Sequence, residues 1–163
     1  MKQFLLYRIY YDFGLAYVGQ TAQPLKRRLH GHFFAKPMMR KIDPRHVVRI
    51  EYAACKTRAD MNLYEIYYIE KLKPPLNFAD KDHDELSVTL PDIPFLPFDC
   101  DLLPKWCIEL EERERREDAA RKRKPQIEVE KLDLRRKFRK GAVSEDEYYA
   151  RLEALEAELK AMP

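Results

Sequence analysis

The chain has 163 residues, a charged fraction of 36%, an apolar fraction of 45% and a formal net charge of +3. That length suits one ordinary domain with an appendage. No run of 18 apolar residues is present, which excludes a membrane-spanning helix.

The opening "MKQFLLYRIYY" lacks the long apolar core and small-residue cleavage site of a secretory signal, and it reads as the first strand of a cytoplasmic protein. Residues 3–11 are rich in aromatic and branched side chains, "YDFG" supplies a turn, and "LAYVG" reads as the returning strand of a hairpin. Pro24 then falls in the first turn of a helix running to about Phe34. "HVVRIEYAAC" is a third strand. "TRADMNLYEIYYIEKL" is a second helix, stopped by Pro74 and Pro75. The order β-β-α-β-α predicts a compact α+β domain over residues 1–80, with a three-stranded antiparallel sheet flanked by helices.

Residues 81–105 change character. Their prolines forbid a regular helix, and their apolar content is too high for a free linker, so an extended strap packed on the domain is expected. From Trp106 the chain reads as a helical arm, interrupted at Pro125 and again at Gly141, a helix C-cap position. Ser144 and Glu147 have capping-box spacing and open a last helix. The arm, residues 106–163, therefore ends in a helical hairpin. Cys55, Cys100 and Cys107 lack metal-site spacing and read as buried free thiols.

Charge is uneven. Residues 1–80 hold 14 basic against 7 acidic residues, residues 81–110 hold 2 against 7, residues 111–140 hold 13 against 8, and residues 141–163 hold 2 against 6. A basic first domain suggests a polyanionic partner. In residues 111–140 a charge-rich solvated helix explains the pattern equally well.

In the first helix Leu25, Leu29 and Phe33 make the buried stripe. Arg28 and His32 lie one turn apart beside it, while Arg27 and His30 fall on the solvent side. An arginine and a histidine at a core edge form either a structural ion-pair site or one wall of an anion pocket. In the second helix Glu65 falls within the stripe of Met61, Tyr68, Ile69 and Leu72, where a carboxylate must be paired with a cation such as Arg28 or bind a metal. A hard cation needs only one or two carboxylates plus water and phosphate oxygens. Arginine clamps phosphate, and a tyrosine beside cationic groups can have a lowered pKa and act as a base. Arg27, Lys36, Arg40, Lys41 and Arg45 are candidates for sequence-independent phosphate contacts.

"LLYRI" at residues 5–9 followed by "YVGQT" at 17–21, then "RRLHGH", then "EIYYIEKLKPPLN", resembles in order the motifs of the GIY-YIG nucleases. The resemblance covers about residues 4–80. Leu-Leu-Tyr stands where that signature has Gly-Ile-Tyr, and Tyr-Val-Gly where it has Tyr-Ile-Gly. It implies an endonuclease acting on DNA with one Mg²⁺ or Mn²⁺ ion. Glu65 would be the metal ligand and Tyr7 the general base, tuned by His32 and Tyr17. Arg28 would sit on the scissile phosphate, and Asn77 would help to position metal or DNA. The residues themselves leave open which tyrosine is the base, and a non-catalytic nucleic-acid-binding or assembly module on the same scaffold is the rival reading. "LRRKFRKGAVSEDEYYARLEALEAEL" resembles a SHOCT-type helical hairpin, which implies an oligomerisation or tethering element; Leu152, Leu155 and Leu159 form a seam that either joins copies or packs back on the same chain.

Overall fold

The computed structural model describes residues 3–35, 42–80 and 86–162. It divides into two compact units, Met1–Ile108 and Glu109–Pro163. In the first, β1 (Phe4–Tyr11) and β2 (Gly14–Thr21) form the hairpin, followed by α1 (Leu25–Phe33), β3 (Arg49–Cys55) and α2 (Arg58–Leu72). A two-residue strand, β4 (Leu96–Pro97), completes a sheet of order β2-β1-β3-β4, antiparallel throughout. The sheet therefore has four strands rather than the three expected. The fourth comes from the proline-rich strap, whose two paired residues carry no periodic signal; Pro97 is tolerated because it sits on an edge.

Alternation along β1 divides the core. Leu5, Tyr7, Ile9 and Tyr11 pack with Leu25, Leu29 and Phe33 of α1. Leu6 packs with Met61, Tyr68 and Ile69 of α2. The strap closes both faces as it passes the sheet edge. Phe95 lies against Tyr68 on one side (ring centroids 5.5 Å apart), and Phe98 lies against Tyr52 on the other (6.0 Å). Trp106 then caps the α1 face, buried and edge-on to Phe33 at 5.7 Å.

A bulge in the hairpin decides what shares a face. Tyr10 opposes Leu15 while Ile9 opposes Tyr17, so Ala16 is an extra residue in β2. Without it Tyr17 would oppose Arg8 and point towards α2; with it, Tyr17 joins the face of Tyr7. On the α2 face Arg8 stacks between the rings of Tyr68 (4.3 Å) and Phe95 (3.6 Å).

Helix α2 begins with a full capping box between Thr57 and Asp60 and ends at Lys73, which is left-handed at φ 47°. Leu72, expected in the buried stripe, is exposed at this last turn. Pro74 and Pro75 lead into a 3₁₀ segment, Pro75–Asp80. A second 3₁₀ turn, Pro44–His46, precedes β3. The three thiols are free and half-buried.

Helix α3 (Leu103–Arg139) runs unbroken through Pro125, where a break was expected. Arg123 spans the proline by pairing with Glu130 and also holds Glu158 at 2.8 Å on α4 (Glu145–Ala161). Gly141, at φ 70°, ends α3 in a Schellman motif, with Ala142 N–H donating to Lys137 and Gly141 N–H to Phe138, both at 2.9 Å. Ser144 Oγ accepts the N–H of Glu147, which gives the expected cap in half. Phe138 stacks on Tyr148 at 4.5 Å. Leu152, Leu155 and Leu159 are each half-buried.

Candidate active site

The site is assembled where β1, β2 and α1 meet. Tyr7 is fully buried, and its Oη lies 2.7 Å from His32 Nε2. Arg28 Nε donates to the same oxygen at 3.4 Å. Tyr7 donates its phenolic proton to His32 Nε2 when the imidazole is in the tautomer protonated at Nδ1, and accepts from it otherwise. The i, i+4 spacing of Arg28 and His32 on α1 is what places both over Tyr7. Tyr17 completes the cluster, its ring 6.1 Å from that of Tyr7 and 5.5 Å from His32.

Gly19 makes this convergence possible. It lies directly across from Tyr7 in the β1–β2 ladder. A Cβ there would meet Tyr7 Oη at 2.5 Å and the Tyr17 ring at 2.6 Å. The two phenols thus occupy the space above a residue with no side chain.

Glu65 projects from α2, half-buried, with Oε2 accepting from Gln20 Nε2 at 2.5 Å. Its charge acts on both Tyr7 and Arg28. It lies at the margin of the α2 stripe rather than inside it, which the partial exposure reflects. Asn77, which the resemblance counts among the site residues, lies against the free edge of β2. It is buried, and its amide takes both backbone groups of Val18: Oδ1 accepts from the N–H and Nδ2 donates to the carbonyl, each at 2.8 Å. It thereby fixes β2 beside Tyr17.

The electrostatics correct one expectation. Burial pushes the Tyr7 phenol above its ordinary value, and the charge and hydrogen bond of Arg28, which pull it down, do not overcome this; Glu65 adds to the rise. Burial also works against the Arg28 charge, but Tyr7, Tyr17 and Glu65 outweigh it and raise the guanidinium pKa. The resting pair is a neutral phenol beside a firmly charged arginine.

Among the candidate phosphate contacts, Arg27 is exposed. Arg45 is engaged by the Asp43 carboxylate, Nη2 to Oδ2 at 2.5 Å and Nε to Oδ1 at 2.9 Å. Lys36, Arg40 and Lys41 lie outside the described residues. His30, expected to be solvated, is exposed but stacks on Phe34 at 4.4 Å and lies edge-on to Trp106. Gln20 and the packing role of Gly19 escaped the sequence reading. Gln20 has no periodic or compositional signal, and Gly19 acquires its meaning only through strand register.

Among the described residues no three His, Cys, Asp or Glu side chains gather as a metal cage. A lone carboxylate with a partly exposed oxygen fits a water-rich, octahedral ion such as Mg²⁺, and does not fit a closed four-ligand zinc site.

A phenol, an imidazole, a guanidinium and a carboxylate thus gather about one small sheet. Residues 3–77 match the family model of the GIY-YIG catalytic domain. No curated protein and no solved structure matches the chain. No helix among the described residues is long and apolar enough to cross a membrane.

Proposed function

We propose that the chain is an endonuclease that hydrolyses phosphodiester bonds in DNA, with Glu65 holding one Mg²⁺ or Mn²⁺. The observation that carries this is the meeting of Tyr7 Oη with His32 Nε2 at 2.7 Å under the Arg28 guanidinium. A bound ion would supply Lewis-acid polarisation of the phosphate and stabilise the leaving oxygen.

The chain's own residues account for the remainder. Tyr7 passes its proton to neutral His32 and takes one from the attacking water, so that His32 holds the net proton. Arg28 faces the phosphate with a charge that its neighbours keep in place and that strengthens as negative charge develops. Tyr7 is fully buried, so water reaches its oxygen only after the side chains above it, Arg28 among them, turn towards a phosphate. Gln20 fixes the Glu65 carboxylate, and Asn77 fixes β2.

Plasmid and branched DNA incubated with Mg²⁺, with Mn²⁺ or with EDTA test the proposal. Nicking that needs the metal and is lost in Glu65→Ala, Tyr7→Phe and Arg28→Ala is expected, with DNA binding retained. Binding without cleavage under any divalent ion would make the domain a non-catalytic binding module.

A further inference from the structure

The cations of the helical arm fall into two classes. Upstream, Arg113, Arg116, Arg121, Lys122, Arg123 and Lys131 each meet a carboxylate, at 3.5 Å or closer, with exposed Arg115 the exception among the described residues. At the end of α3 this stops. Arg135, Arg136, Lys137, Arg139 and Lys140 are all exposed, and only Arg136 has an ion-pair partner among the described residues, Asp133 at 3.7 Å.

Four of these side chains, Arg135, Arg136, Arg139 and Lys140, lie on one side of the helix, and Lys137 falls well round it from Arg135. Arg135 and Arg139 are i, i+4 neighbours, as are Arg136 and Lys140, so like charges are stacked in two adjacent rows. Such pairs disfavour a helix. The negative end of the helix dipole offsets part of that cost but falls off within the last turn. Leu134 and Phe138 occupy the opposite side, Leu134 buried and Phe138 stacked on Tyr148. Exposed Leu132 lies one turn before Arg135 and Arg136 on the cationic side, so the vesicle arm of the test has to separate a lipid surface from DNA. The acidic first turn of α4, Glu145 to Glu147, faces its own helix dipole, and Glu147 pairs with Arg151 at 3.8 Å.

We propose that this face of the hairpin tip is a second nucleic-acid contact, binding the phosphate backbone of duplex DNA independently of sequence. It rests on the nuclease reading for the identity of the polyanion, but not on catalysis. Within the basic stretch 111–140 it assigns the contact to the end of α3, since most cations of residues 111–124 are paired within the helices.

Full-length protein carrying Arg135→Gln, Arg139→Gln and Lys140→Gln is titrated against a short fluorescent duplex over a range of salt. Binding should weaken about tenfold or more at low salt, and the slope of log K against log salt should shrink by about 2 to 3, near 0.9 for each phosphate contact removed. Cleavage at saturating DNA and the melting temperature should not change. A charge-preserving variant, Arg135→Lys with Arg139→Lys, should bind like the parent. Unchanged affinity and slope in the glutamine variant would overturn the proposal. So would loss of binding in the lysine variant, or sedimentation with phosphatidylserine vesicles in place of DNA binding. Failure of catalysis is separate: if no metal supports cleavage, the salt slopes still decide this surface.

Discussion

Two neighbouring residues, Gly19 and Gln20, determine whether the phenols and the carboxylate are usable. Replacing Gly19 by Ala puts a methyl group 2.5 Å from Tyr7 Oη, and the neighbours that must yield are two rings packed into the site. Overpacking of this kind costs about 1–3 kcal/mol. Gly19→Ala should therefore lower the melting temperature and reduce cleavage by about a hundredfold or more, because a misplacement of about 1 Å is enough to spoil catalytic geometry. Gln20→Ala should leave the fold intact and raise the Mg²⁺ concentration needed for half-maximal binding, read directly by calorimetry as well as by cleavage. Tyr7 also leaves a mark on stability. Its folded pKa lies above the unfolded value of about 10, so the unfolded chain loses its proton first and the native state is favoured less as pH rises. Its contribution is present below about pH 10 and is lost as pH climbs through the folded value. Chemical denaturation at pH 8 and at pH 10.5 should show a loss in the parent that is smaller in Tyr7→Phe; equal losses would remove Tyr7 as its source. The tyrosine, arginine, histidine and glutamate were legible in the sequence because the motifs and the helical phase of α1 mark them. The rise in the Tyr7 pKa was not, since proximity to Arg28 argues for a fall and only the depth of burial decides the balance.

Elements hold these residues in register, and Asn77 is the clearest case. Strand β2 lies at the sheet edge, paired only with β1. At Val18 its free side is completed by a single side chain that offers one donor and one acceptor, as a neighbouring strand would. Removing that amide leaves two backbone groups unpaired, at about 1–3 kcal/mol for each buried group. Asn77→Ala should cost about 2–4 kcal/mol in a urea titration, and Asn77→Asp, which keeps the acceptor but loses the donor, should fall between. A direct role on metal or DNA would instead leave stability untouched while abolishing cleavage. The bulge at Ala16 works at the same scale: deleting Ala16 would return Tyr17 to the α2 face. Sequence reading found β1, β2, β3 and both helices because each has a period long enough to register. It missed β4, where two residues carry no pattern, and it broke α3 at Pro125, through which the helix continues with Arg123 paired to Glu130 beyond the proline and to Glu158 on α4. Leu72 was placed in the stripe by phase, but the left-handed turn at Lys73 ends the helix before that position can be covered.

The family match ends at residue 77, but the packing of the N-terminal unit does not. The α2 face of the sheet is covered by Leu90, Ile93 and Phe95 of the strap, and the α1 face by Phe98, Leu102 and Trp106. Trp106 stands in the first turn of α3, at 5% exposure, against both Phe33 and His30 of the helix that carries Arg28 and His32. A chain ending at residue 77 would expose these apolar surfaces on both sides of the sheet, and burying a side chain such as Phe or Trp is worth about 1.5–3 kcal/mol or more. With native stabilities of only about 5–15 kcal/mol, losing several such contacts is enough to unfold a domain of this size. Residues 1–108 should fold and melt cooperatively, with a near-ultraviolet signal from Trp106 that vanishes in the same transition as the far-ultraviolet signal. Residues 1–77 should give no cooperative melt, and Trp106→Ala in the full chain should lower the melting temperature of the N-terminal unit while leaving the Arg123–Glu158 hairpin of the other unit helical. If residues 1–77 melted as sharply as residues 1–108, the strap would be a passive connector and not the outer wall of the catalytic domain.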